Sequence, residues 1–219
     1  MRIHPDGWPF AAIALALNVI LFAVAGPFGW IVTPLTAWCL LFFRDPDRIA
    51  PVGDGLVVSP ADGVMLPLVY AEPPAELGME AGARPRLSIF MNVFDVHVNR
   101  VPADGVVTAL RYRPGRFINA SFDKASEHNE RMAVRLALEN GQSLAFAQIA
   151  GLVARRIRCD LREGEQVRRG DRFGIIRFGS RLDVFLPPDA VVMVKAGQRV
   201  RAGETVLAAL KGKDKAVAG

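Results

Sequence analysis

Cysteine and histidine are scarce in this chain. Only Cys39, Cys159 and three histidines stand among its 219 residues. Two distant cysteines make no disulfide framework, and they fit a reducing compartment. Three scattered histidines argue against a histidine-built metal centre, so no metal is expected. Zinc-finger spacings, RNP-like aromatic motifs and lysine-rich stripes are missing too, which speaks against nucleic acid as a partner. The most telling absence is local: no charged residue occurs from Gly7 to Phe43.

That uncharged stretch accounts for a composition that is 51% hydrophobic, with a mean hydropathy of +0.24. Trp8 to Ala25 is nearly continuous Ala, Ile, Leu, Val and Phe. Gly26-Pro27 interrupts it, and Phe28 to Phe43 resumes it. Each half is slightly short for a single span of about 20 residues. A helical hairpin over residues 1–43, spanning or re-entrant, satisfies both halves. It places Arg2 and Arg44 on one side, and basic flanks favour the cytoplasm. Ala23-Val-Ala25 resembles a signal-peptide cleavage site, but cleavage there would leave the second apolar run exposed. The formal charge of +5 suits an anionic membrane surface.

Residues 44–219 read as a mainly β domain. Short apolar or alternating runs at Gly55 to Val58, Gly63 to Tyr70, Arg86 to Val98, Gly105 to Tyr112, Glu130 to Leu138, Ser143 to Ile149 and Gly151 to Arg158 are expected strands. Ala71 to Pro85 is a loop by composition, and Ala125 to His128 a short turn or helix. Two echoes recur. Pro60-Ala-Asp-Gly63 returns as Pro102-Ala-Asp-Gly105, and Gly164-Glu-Gln-Val-Arg-Arg-Gly170 as Gly197-Gln-Arg-Val-Arg-Ala-Gly203. Such paired turns resemble lipoyl/biotinyl-like hybrid β folds. A carrier role fails on its lysines: Lys195 lacks the required flanks, and Lys124 lacks flanking strands.

Gly179-Ser180 lies in the stretch from Arg172 to Pro187, where the apolar residues on either side are expected to form two strands. By itself the pair reads as a hairpin turn. The surrounding segment, Arg172-Phe-Gly-Ile-Ile-Arg-Phe-Gly-Ser-Arg-Leu-Asp-Val-Phe-Leu-Pro187, resembles the processing site of the phosphatidylserine decarboxylases, notably their short bacterial and archaeal form. Three further motifs occur in that family's order: Ser59-Pro-Ala-Asp-Gly63, Asp95-Val-His-Val-Asn-Arg-Val-Pro102, and the segment from Arg113 to Arg131.

The resemblance implies a precursor that cuts itself between Gly179 and Ser180, into fragments 1–179 and 180–219. Ser180 then becomes a pyruvoyl group, the cofactor that forms a Schiff base with phosphatidylserine and releases phosphatidylethanolamine. It implies catalytic roles for Ser180, Asp62 and His97, and a substrate pocket containing Phe117, Asn119, Lys124 and Asn129. Longer members carry a second histidine three positions after the first, where this chain has Arg100. The missing role falls to His97 with Asp62 as its orienter, and His128 stands in reserve. The implied partner is phosphatidylserine in the cell membrane, with the catalytic domain cytoplasmic; a homo-oligomer stays open. Two other readings compete: a membrane-tethered β scaffold that leaves Gly179-Ser180 intact, and a pyruvoyl decarboxylase of a soluble amino acid.

Overall fold

A computed structural model describes residues 2–115, 129–151, 157–177 and 179–211. The uncharged stretch forms helix α1 (Trp8–Ala25), a 3-10 turn (Gly26–Ile31) and helix α2 (Thr33–Phe42). Pro9, Pro27 and Pro34 each fall at the start of one of these elements, where a missing N–H is harmless. Gly26 stops α1 at φ 57°, a left-handed conformation suited to glycine. The helices run back on each other, and their few polar side chains bond within the pair. Asn18 donates to Thr33 Oγ1 at 3.2 Å, and Thr36 donates to the Ala14 carbonyl at 3.4 Å. Gly29 allows the close approach, because a Cβ there would sit 2.5 Å from the Phe22 ring. Strand Arg2–Ile3 pairs with Arg44–Asp45, so both ends of the hairpin meet at the domain.

The rest is mainly β, as the alternating runs predict. Among the described residues, a nine-stranded antiparallel sheet holds the core. Its centre is strand Ser180–Phe185, which pairs with Arg84–Met91 on one side and Ser143–Ala150 on the other. Arg131–Ala137 and Gly105–Arg113 extend it beyond Ser143–Ala150. One face packs Leu87, Ile89, Met91, Leu144, Phe146, Leu182 and Val184 into the main core. Two three-stranded sheets close over that core, one containing Arg172–Ile176 and the other Val206–Ala209.

The two sequence echoes pair with each other in equivalent registers. Gly63 lies opposite Val200, and Gly105 opposite Val167. Gly164, Gly170, Gly197 and Gly203 all have positive φ, which explains why glycine recurs at these offsets. The expected continuous strand from Gly151 to Arg158 appears as Ile157–Cys159, with residues 152–156 outside the described set. Gly63 to Tyr70 divides into Gly63–Met65 and Val69–Ala71. Ala125 to His128 also lies outside the described residues.

Candidate active site

Gly179-Ser180 is not a hairpin turn. The strand before it, Arg172–Ile176, pairs with Val98–Arg100 and Ile157–Cys159. The strand after it, Ser180–Phe185, belongs to the large sheet. The chain therefore changes sheets at this dipeptide. Gly179 has φ 67°, and a Cβ added there would meet nothing within 4 Å, so backbone conformation rather than space calls for glycine. Ser180 is fully buried opposite Met91 and Ala150. Among the described residues its Oγ has no hydrogen-bond partner. A buried polar group left unpaired costs about 1–3 kcal/mol, so such an atom signals chemistry rather than stability.

His97 precedes strand Val98–Arg100 and is also fully buried. Its Nδ1 lies 3.0 Å from the Asp95 carbonyl. A carbonyl only accepts, so the imidazole proton sits on Nδ1 and Nε2 carries the lone pair. Nε2 has no hydrogen-bond partner among the described residues. Burial lowers the histidine pKa to about 4, despite the opposing Asp95 contact. The imidazole is therefore neutral at pH 7 and able to accept a proton. The Phe42 ring covers it, with centroids 4.2 Å apart. The base of the apolar hairpin thus forms one wall around His97.

Asp62 is held by two donors. Its carboxylate accepts from the Ala202 N–H at 2.7 Å and from Arg48 at 2.9 Å. Burial raises its pKa, while the Ala202 N–H and Arg48 pull the other way. Its echo, Asp104, accepts from the Arg169 N–H at 2.8 Å, at the equivalent position of the second repeat. Both aspartates brace the same kind of turn. The Asp95 carbonyl contacts His97 Nδ1, while the Asp62 oxygens accept from Ala202 and Arg48.

The family model described as phosphatidylserine decarboxylase matches residues 35–208. The chain belongs to the phosphatidylserine decarboxylase family. It is 54% identical over 208 residues to a phosphatidylserine decarboxylase proenzyme of Paramagnetospirillum magneticum, covering 95% of this chain and 87% of that one. It is 55% identical over 208 residues to the proenzyme of Cereibacter sphaeroides, covering 95% and 90%. For the Ruegeria pomeroyi proenzyme the identity is 53% over 209 residues, covering 95% of both chains.

Within this phosphatidylserine decarboxylase fold, Arg100 does structural work. Its guanidinium donates to the Gly170 carbonyl at 2.7 Å and the Pro46 carbonyl at 2.8 Å, and lies 3.7 Å from Asp45. It ties the segment leaving the hairpin to the domain. Asn129 is buried at the Ser180 end of the sheet, where its Nδ2 donates to the Ala150 carbonyl at 2.7 Å. Ala150 is directly opposite Ser180. Phe117, Asn119, Lys124 and His128 lie outside the described residues.

Sequence reasoning missed two residues beside Ser180, Asn99 and Gln148. Both are fully buried and bonded to each other, Gln148 Nε2 donating to Asn99 Oδ1 at 2.8 Å. A signal was available. Gln148 is the one polar side chain in Leu144-Ala-Phe-Ala-Gln-Ile-Ala150. A carboxamide on the core side of such a strand needs a partner or a purpose.

Proposed function

We propose that the chain is a self-processing precursor that cuts itself before Ser180 and then decarboxylates phosphatidylserine at a membrane. The observation that carries this is the buried Ser180 Oγ, without a hydrogen-bond partner among the described residues and placed directly after a positive-φ glycine where the chain changes sheets. In the precursor, Ser180 Oγ attacks the Gly179 carbonyl carbon. The C–O bond forms, the C–N bond breaks, and the amide nitrogen takes up a proton. We assign His97 Nε2 as the base that accepts the hydroxyl proton. Elimination across the serine Cα–Cβ bond then releases the Gly179 carboxylate, and water replaces nitrogen as ammonia leaves. Asp62 holds the neighbouring turn in place.

The residues fit the group that this sequence of steps leaves on residue 180. It would lie at the head of an inner strand, in a pocket shielded from solvent. A pyruvoyl carbonyl supplies an electron sink for the pair left by departing carbon dioxide. The remaining chemistry belongs to the chain: His97 gives or takes a proton nearby, and the apolar walls exclude water. Fragment 180–219 stays attached because Ser180–Phe185, Arg199–Val200 and Val206–Ala209 all pair with strands of fragment 1–179.

Residues 1–43 form the membrane anchor and 44–219 the catalytic domain in this reading. Helix α1, with 18 residues, is about 27 Å long, and α2, with 10, about 15 Å. With its flanking 3-10 turns the first helical run covers Pro5–Ile31, 27 residues, long and apolar enough to cross a hydrocarbon core of about 30 Å, and both ends of the hairpin are joined at the domain by a strand pair. The turn between them exposes Phe28 and Trp30 and carries no charge. The hairpin therefore begins and ends on one side of the membrane. Exposed Phe94 lies beside it, its carbonyl bonded by Arg44 at 2.6 Å. The basic flanks favour the cytoplasmic side of the cell membrane for the catalytic domain in this reading.

Intact-mass analysis of the purified protein tests the proposal. Two fragments are expected, the smaller beginning at position 180 and lacking a free amino group. Ser180→Ala should remain one inactive chain. A single uncut chain that still converts phosphatidylserine would overturn the pyruvoyl mechanism, and an uncut inactive wild type would favour a scaffold.

A further inference from the structure

Three groups share the core-facing side of the sheet at its Ser180 end. Residues directly opposite each other in antiparallel strands point to the same face, as do alternate residues along one strand. Ala150 is opposite Ser180 and Gln148 is opposite Leu182, so Gln148 and Ser180 share a face as diagonal neighbours. Met91 flanks Ser180 on the other side, and Asn99 Nδ2 reaches its sulfur at 3.7 Å. Asn99 and Gln148 therefore bracket the square that contains Ser180.

Their orientation is determined by one backbone group. Gln148 Nε2 donates to the Arg158 carbonyl at 3.2 Å as well as to Asn99 Oδ1. The carbonyl only accepts, so the amide nitrogen of Gln148 must face it and its oxygen must turn away. Asn99 must then offer its oxygen to Gln148 and turn its own nitrogen towards Met91. The result is a buried donor whose one partner among the described residues is a thioether, a weak acceptor. Beside it stands a buried acceptor, Gln148 Oε1, with no partner among the described residues. Leu and Met would fill this position among Ile89, Phe146 and Leu182 more favourably. Two oriented amides with unused capacity are what a small polar ligand would satisfy.

We propose that Asn99 and Gln148 read the amino-acid end of the headgroup: Asn99 Nδ2 donates to the substrate carboxylate and Gln148 Oε1 accepts from its amino group. This rests on the phosphatidylserine reading above. The pair is neutral, and a neutral donor holds a carboxylate without the strong ground-state grip of an arginine. That matters where the carboxylate must leave as carbon dioxide.

Asn99→Asp is the sharpest test, because it keeps the oxygen that Gln148 needs and replaces only the donor. Asn99→Leu is its uncharged control. Full-length protein in mixed micelles is assayed by intact mass, by KM for phosphatidylserine, and by inhibition with phosphatidylethanolamine, which lacks the carboxylate. Both variants should be cut into the same two fragments. KM should rise at least tenfold, while the inhibition constant of phosphatidylethanolamine stays within twofold. A parallel rise in both constants would mean that the pair merely shapes the site, and would overturn the proposal. So would cut variants with an unchanged KM, or both variants remaining uncut, which would assign the pair to the precursor. The wild type run alongside separates the two levels. If it fails to convert phosphatidylserine, the underlying reading fails; if it converts and the variants match it, only the headgroup role fails.

Discussion

Arg177 donates to Asp6 at 3.0 Å, joining the segment that leads to Gly179-Ser180 to the base of the apolar hairpin. The same guanidinium lies 5.3 Å from the Phe10 ring centroid, and Phe10 stacks on Phe43. Arg158 pairs with Asp6 as well. The hairpin thus packs on the domain beside His97 through Phe42, Phe43, Val96, Val98 and Ile175. Removing residues 1–43 would strip His97 of its Phe42 cover, so point changes are the cleaner probe.

Arg177→Met should slow self-cleavage about tenfold, equivalent to about 1.4 kcal/mol in the barrier, because the strand leading to Gly179 loses its tether. The decay of full-length chain after cell-free synthesis, followed by intact mass, measures this. Cleavage at the wild-type rate would show that the tether does not hold the scissile segment.

His97 makes the fold acid-sensitive. Burial lowers its pKa from 6.5 to about 4 in the folded chain. Between those values the unfolded chain takes up a proton that the folded chain refuses. Stability is therefore full above pH 6.5 and falls as pH drops towards 4, by up to about 3 kcal/mol. Denaturation midpoints of the uncut Ser180→Ala chain should decline over that window, and the added change His97→Gln should flatten part of the decline. Identical pH profiles with and without His97 would contradict the assignment.

Gly179 is open to side chains but closed to most backbones. With φ at 67° and no atom within 4 Å of the Cβ position, alanine meets strain but no clash. Left-handed backbone costs a non-glycine residue about 1–2 kcal/mol, and least for asparagine. Gly179→Asn should fold and cut faster than Gly179→Ala, and Gly179→Val should be slowest. Rates that followed side-chain volume alone, with alanine ahead of asparagine, would argue that φ is not the determinant.

Much of the architecture was legible from local pattern. The uncharged run announced a hairpin, since that much apolar surface must leave water. Alternation announced the strands, and the echoed glycines announced turns that do adopt positive φ. The site was legible only in part. Gly179-Ser180 could be singled out, but the sheet change could not, because strand partners are chosen by burial across the whole domain. The contacts of His97 and Asp62, a carbonyl two residues away for His97 and the Ala202 N–H for Asp62, could not be read from the motifs that singled these residues out. Asn99 and Gln148 went unnoticed because a carboxamide in a strand carries no motif of its own.

The order of residues alone determined what each segment must do with water: which run is apolar throughout, which runs alternate, and where glycine permits a left-handed turn. Those are properties of a few neighbouring residues, set by hydrophobicity and backbone sterics. Tertiary structure decided which distant groups meet. Gln148 reaches Asn99 across 49 positions, Asp62 reaches Ala202 across 140, and Asp6 reaches Arg177 across 171. Such contacts exist only once the core has closed, because burial strips water from these groups and leaves them to find one another.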